Sequence, residues 1–87
     1  MKNIHVGDLN GIRIEICVDK GILVGADLIS KAQGVVVECD VIEGTTNAER
    51  VKGLIKGLKS SVKEENYELA AVVRNTLKAL NVEPWAM

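Results

Sequence analysis

His5, Cys17 and Cys39 supply the chain's one imidazole and its two thiols, so soft-metal, redox or nucleophilic chemistry has to start from them. A closed zinc site takes four nitrogen or sulfur ligands, and a catalytic one keeps three beside an open position. The two cysteines are isolated in sequence, so a zinc site here would also need carboxylates. Asp8, Asp19, Asp27, Glu38, Asp40 and Glu43 offer hard oxygen ligands, but none falls at the spacing of an EF-hand loop. A hydrolase needs a base that titrates near neutrality, and His5 is the only histidine available. Neither a glycine-rich phosphate loop nor a serine nucleophile elbow is present. The expectation is a protein that is not an enzyme and takes no cofactor and no stoichiometric metal. One alternative is a small ligand- or metal-binding module on the sheet face around His5, Glu15 and Cys17. Another is an enzyme whose site forms only between subunits.

Composition narrows the class further. Eighty-seven residues with 47% hydrophobic content and only Tyr67 and Trp85 as aromatics leave a core of Val, Ile, Leu and Ala. Such a core is small, and extra burial by self-association would help it. The net charge of −1 argues against a dedicated nucleic-acid binder, which carries a clear basic excess. With no long apolar run and no charged-then-apolar leader, the sequence reads as soluble, unexported and not membrane-bound. Two isolated cysteines fit free thiols in the reducing cytoplasm.

The elements that must position these residues differ between the two halves of the chain. Ile12, Ile14, Ile16 and Val18 alternate with Arg13, Glu15 and Cys17, as a half-buried strand requires. Ile4 and Val6 precede them. A two-residue Asn10-Gly11 turn would put Ile4 and Val6 on the face of Arg13 and Glu15. A three-residue loop, Leu9-Asn10-Gly11, aligns Val6 with Ile14 and Ile4 with Ile16, and one buried face favours it. Asp19-Lys20-Gly21 repeats the device, aligning Val18 with Ile22 and Ile16 with Val24. Residues 25–34 fit either a helical turn or a bent continuation of the strand. Val35, Val37, Cys39 and Val41 then alternate with Val36, Glu38, Asp40 and Ile42, predicting a fourth strand with Cys39 as a small buried residue.

At Gly44 the period changes. Thr46-Asn47-Ala48-Glu49 reads as a capping box. Val51, Leu54, Ile55, Leu58 and Val62 follow at helical spacing. A turn at Asn66, after Glu64 and Glu65, opens a second helix that Asn81 and Pro84 end. The prediction is an α+β fold: a three- to four-stranded antiparallel meander over residues 1–44, an antiparallel helical hairpin over 45–82 and a tail at 83–87, in one domain. Gly53 and Gly57, four residues apart, suggest close packing against another helix or the sheet. Lys52, Lys56, Lys59 and Lys63 form a basic stripe. Before Asn47 the chain holds four basic against seven acidic residues, and from Asn47 onward seven against five. The stripe therefore suits an acidic partner or a solvated face.

Within the hairpin, the acidic helix end, Tyr67-Glu68, the Ala70-Ala71 pair, Val73-Arg74, Leu77 and Leu80 follow one another in an order that resembles the UVR motif over residues 54–80. That motif is the helix-loop-helix at the C-terminus of the excision-repair helicase UvrB, found also in its nuclease partner UvrC and in some chaperone and kinase-activator proteins. Asn75 departs from it, standing where an acidic residue is usual. The resemblance implies a docking surface without chemistry of its own, carried by Tyr67, Ala70, Ala71, Val73, Arg74, Leu77 and Leu80. The implied function is a small interaction module acting by self-association or by docking an acidic or helical protein. Leu69, Val72 and Val73 add apolar surface that one sheet would not cover, which favours a homodimer joined through the second helix.

Overall fold

In the computed structural model, which describes residues 2–61 and 66–81, the strands β1 (Lys2–Leu9), β2 (Ile12–Asp19), β3 (Ile22–Ser30) and β4 (Val36–Val41) precede the helices α1 (Asn47–Ser61) and α2 (Asn66–Leu80). The strands form one antiparallel sheet in the order β1-β2-β3-β4. Residues 25–30 continue β3, and β4 lies at an edge. The expected turn before α2, the Asn66 side-chain cap, Lys63 of the basic stripe and the Pro84 stop all fall outside what the structure describes.

Both hairpin turns are two residues long, not three. Leu9 pairs with Ile12 and Asp19 with Ile22. Asn10 and Gly11 have φ of 51° and 80°, and Lys20 and Gly21 have 53° and 79°, the double positive φ of a type I′ turn. The local turn preference wins, and a bulge in each hairpin then restores the buried face. Val6 is the extra residue in β1, so Gly7 takes the place opposite Ile14 while Ile4 still meets Ile16. Val24 is the extra residue in β3, which brings Leu23 opposite Val18 and Ala26 opposite Ile16. Without these bulges one segment of each hairpin would turn its apolar side chains to water, at about 1.5–3 kcal/mol for each large one.

The core lies between one sheet face and the two helices. It gathers Val6, Leu9, Ile14, Ile16, Leu23, Leu28, Val51, Leu58 and Val72, all nearly inaccessible. α2 packs chiefly on β1 and α1 on β3. α1 starts at the β2–β3 turn, where the Asn47 side chain accepts from Leu23 N–H (3.1 Å) and donates to Gly21 C=O (2.9 Å). α2 starts near the opposite end of the sheet, where Glu68 accepts from Asn10 N–H, so the helices are antiparallel. The capping box forms with a variation. Thr46 accepts from Glu49 N–H at 3.2 Å, but the Glu49 carboxylate reaches Thr45, taking both its N–H (2.8 Å) and its hydroxyl (2.6 Å). Those hydrogen bonds from Thr45 hold Glu49 below its ordinary pKa.

Two polar anchors join the layers. The half-buried Arg50 guanidinium donates to the carbonyls of Gly44, Leu23 and Ile42 at 2.9–3.2 Å, tying the first turn of α1 to the ends of β3 and β4. Asn75 donates its side-chain amide to Val6 C=O at 2.9 Å. This serves the bulged residue, and a carboxylate could not donate there, which accounts for the departure from the UVR pattern at this position. Gly7 completes the seat. Its φ is 146°, and a Cβ there would lie 2.7 Å from Val72 Cγ2.

Urea unfolding should show Arg50→Ala less stable by about 2–3 kcal/mol and not rescued by Arg50→Lys, because one ammonium cannot span three carbonyls. Asn75→Asp should cost about 1–3 kcal/mol by leaving the Val6 carbonyl facing an acceptor, whereas a purely solvated Asn75 would tolerate the change.

Candidate functional site

Helical geometry divides α2 into two faces. Leu69, Val72, Thr76, Leu77 and Leu80 are buried, and Thr76 satisfies its hydroxyl on Val72 C=O at 2.8 Å. The sheet and α1 therefore cover nearly all of the helix's apolar side chains. This corrects the expectation of an apolar surplus at Leu69 and Val72. Of the residues assigned to docking, Leu77 and Leu80 lie in the core, and Ala71 and Val73 are half-buried. Tyr67 is 72% exposed, and Ala70 and Arg74 are exposed with it. With Lys78, these residues follow helical spacing along the outer side of α2, an aromatic ring next to a small residue and then two cations. The arrangement can offer ring contact, close backbone approach and hydrogen bonds to carboxylates.

The exposed apolar surface lies elsewhere, on β4 and its approaches. Val35, Val36, Val37 and Val41 are 50–83% exposed, and Ile22 is 45% exposed. Cys39 is exposed as well, so it is not the core residue the alternation suggested. The strand is turned over. Asp40 stands opposite Ala26 and Glu38 opposite Leu28, so the two acids share the helix-side face. The triple valine run concealed this orientation, because period two gives both faces a valine. The legible signal was Ile42, which has the parity of Glu38 and Asp40 and is buried.

Gly53 and Gly57 do not mediate close packing. Among the described residues, a Cβ on Gly53 would meet nothing within 4 Å, and one on Gly57 would lie 3.5 Å from Asp40 Oδ2. α1 reaches the core through Val51, Leu54 and Leu58 and lies over β3, which leaves its glycine side along a cleft beside β4. The cleft is about 210 Å³ and is lined by Asp40, Val41, Ile42, Glu43, Gly53, Leu54, Gly57 and Ser60. Burial and then the neighbouring Glu38 raise the Asp40 pKa.

On the outer sheet face His5, Glu15 and Cys17 come together with Asp27, but each is engaged by a neighbour. His5 Nε2 lies 3.0 Å from Asp8, Arg13 donates to Glu15 at 2.7 Å, and the Cys17 thiol donates to Asp27 at 3.8 Å. Burial works to raise the Asp8 pKa, but hydrogen bonds from His5 and Lys31 outweigh it and hold the group low. Both thiols are pushed up, Cys17 by burial and then the Asp27 charge, and Cys39 by its hydrogen bond to Asp27 and that same charge. Among the described residues, no three or more His, Cys, Asp or Glu side chains are grouped to hold a metal ion. Nor, among them, is any helix long and apolar enough to cross a membrane.

Residues 48–83 match the UVR family, the UvrB/uvrC motif. The match takes in all of α1 from Ala48 as well as α2, beginning earlier than the segment whose residues suggested it. No curated protein and no solved structure matches the chain. A UVR helical hairpin is thus set against a four-stranded sheet, with its apolar sides spent on the fold.

The Asp27 carboxylate helps raise both thiols, as the second cause at Cys17 and the first at Cys39. Asp27→Asn should lower both thiol pKa values and speed alkylation by iodoacetamide at neutral pH, because only the thiolate reacts. An unchanged rate at Cys39 would show that the carboxylate does not govern it.

Proposed function

We propose that the protein is a cytoplasmic interaction module that docks a protein partner, or a second copy of itself, through the outer side of α2, and that it carries out no reaction of its own. The observation that carries this reading is the exposed row of Tyr67, Ala70, Arg74 and Lys78 on a helix whose opposite side is fully engaged in the core. The UVR match over the same hairpin supports it. Tyr67 supplies the aromatic anchor of a contact, Ala70 with half-buried Ala71 lets a partner backbone approach, and Arg74 seeks a carboxylate. Val73, half-buried, extends the apolar margin. Leu77 and Leu80 act from beneath by fixing the helix on the sheet.

Self-association through this row would be a homodimer with two α2 helices side by side. Arg74 and Lys78 would have to avoid their symmetry mates and find carboxylates such as Glu68. A partner with an acidic helix meets the same need more simply.

Sedimentation equilibrium and affinity capture with the full chain test the proposal. Tyr67→Ala and Arg74→Ala should each weaken association while changing unfolding free energy by no more than about 0.5 kcal/mol, as for exposed positions. Leu77→Ala should cost about 2–5 kcal/mol of stability whatever it does to binding. A strictly monomeric protein whose captured partners are indifferent to Tyr67, Ala70 and Arg74 would remove the reading.

A further inference from the structure

β4 is uncovered on three sides, and the three sides differ chemically. Its outer edge has no neighbouring strand among the described residues, because the sheet ends there. Its outer face shows Val36, Cys39 and Val41 to solvent. Its helix-side face carries Glu38 and Asp40, since α1 sits over β3 and leaves the cleft beside β4 open. The other edge of the sheet is less regular. β1 is interrupted there by the Val6 bulge, the Val6 carbonyl is taken by Asn75, and α2 lies along the strand.

We propose that β4 accepts an extended segment of a partner protein as a fifth strand, and that this segment alternates basic with apolar residues. An unpaired edge offers a row of backbone donors and acceptors, and an added strand satisfies them along its length. Strand alternation then dictates the side chains. Those directed toward the helix layer enter the cleft, whose charged lining groups among the described residues are Asp40 and Glu43. Glu38 stands beside them with its Oε2 buried and without a hydrogen-bond partner among the described residues. Lysine or arginine there would supply the missing donors and the opposite charge. Gly53, Gly57 and Ser60 leave space for their long stems, because among the described residues nothing lies within 4 Å of a Cβ on Gly53. The alternate side chains of the added strand fall beside Val36, Cys39 and Val41, where valine, isoleucine or threonine would cover apolar surface.

The same charges exclude a second copy from this edge. Two β4 strands paired antiparallel about a two-fold axis would set Glu38 and Asp40 against their own mates on one face, and like charges across a strand pair are destabilising. The acids thus guard against self-pairing while selecting a basic partner. This surface faces away from the α2 row and does not depend on the docking reading given above.

Titration of the full-length chain with synthetic peptides of roughly seven residues, matched to a typical strand, gives the test. One peptide alternates valine with lysine and the other valine with glutamate. The valine–lysine peptide should bind, shift the amide resonances of β4 and weaken with added salt, and the valine–glutamate peptide should not bind. Asp40→Lys should weaken the first by about tenfold and confer binding of the second, while Asp40→Asn, a milder change, gives an intermediate affinity. Tyr67→Ala and Arg74→Ala should leave peptide binding unchanged. Equal affinity for both peptides, no binding of either at millimolar concentration, or shifts confined to α2 would overturn the proposal.

Discussion

Everything in this fold depends on keeping the apolar side chains of three strands on one face while the turns between them stay as tight as their sequences dictate. Asn10-Gly11 and Lys20-Gly21 each favour a two-residue turn, and each such turn throws the flanking strands one step out of phase. The conflict is resolved within the strands by the extra residues Val6 and Val24. The first bulge also shapes the helix layer. It brings Gly7 under Val72 and directs the Val6 carbonyl to Asn75, so the seat of α2 follows from the geometry of a turn at the far end of β1.

The period-two and helical patterns made the α+β architecture readable, since Ile12–Val18 and Val51–Leu58 each point in one direction. The turn lengths are not legible in the alternation alone, because burial of one face favours a three-residue loop, whereas a bulge reconciles a two-residue turn with the same burial. The orientation of β4 is hidden in the sequence because its three consecutive valines carry no phase, and because burial of cysteine is a habit of that residue type, not a rule. A carboxylate on a helix-side face contradicts simple patterning, and such exceptions concentrate where a surface is left for something else.

The candidate site divides along similar lines. The UVR resemblance points to Tyr67, Ala70 and Arg74, which are exposed, and equally to Leu77 and Leu80, which lie in the core, so the motif order alone does not separate the outward residues from the inward ones. Leu69 and Val72 could not be sorted by sequence alone. A 15-residue helix with apolar residues around much of its circumference can spend them on a core or on a partner, and only the position of α1 and the sheet decides. The Glu38–Asp40 surface is not legible in the sequence, because acidic pairs on a strand ordinarily mark a solvated face.

The pairing of β1 with α2 gives the order of synthesis a physical meaning. A ribosome releases Ile4, Val6 and Leu9 before Val72 and Asn75, and translation at about 5–20 residues per second separates these events by several seconds. The meander can close early, since each turn joins neighbours in sequence, but the apolar side of β1 stays open to water until the hairpin's second helix has emerged. A chain that stops short of α2 would therefore expose a greasy strand at a sheet edge, the kind of surface on which quality-control proteases and chaperones act.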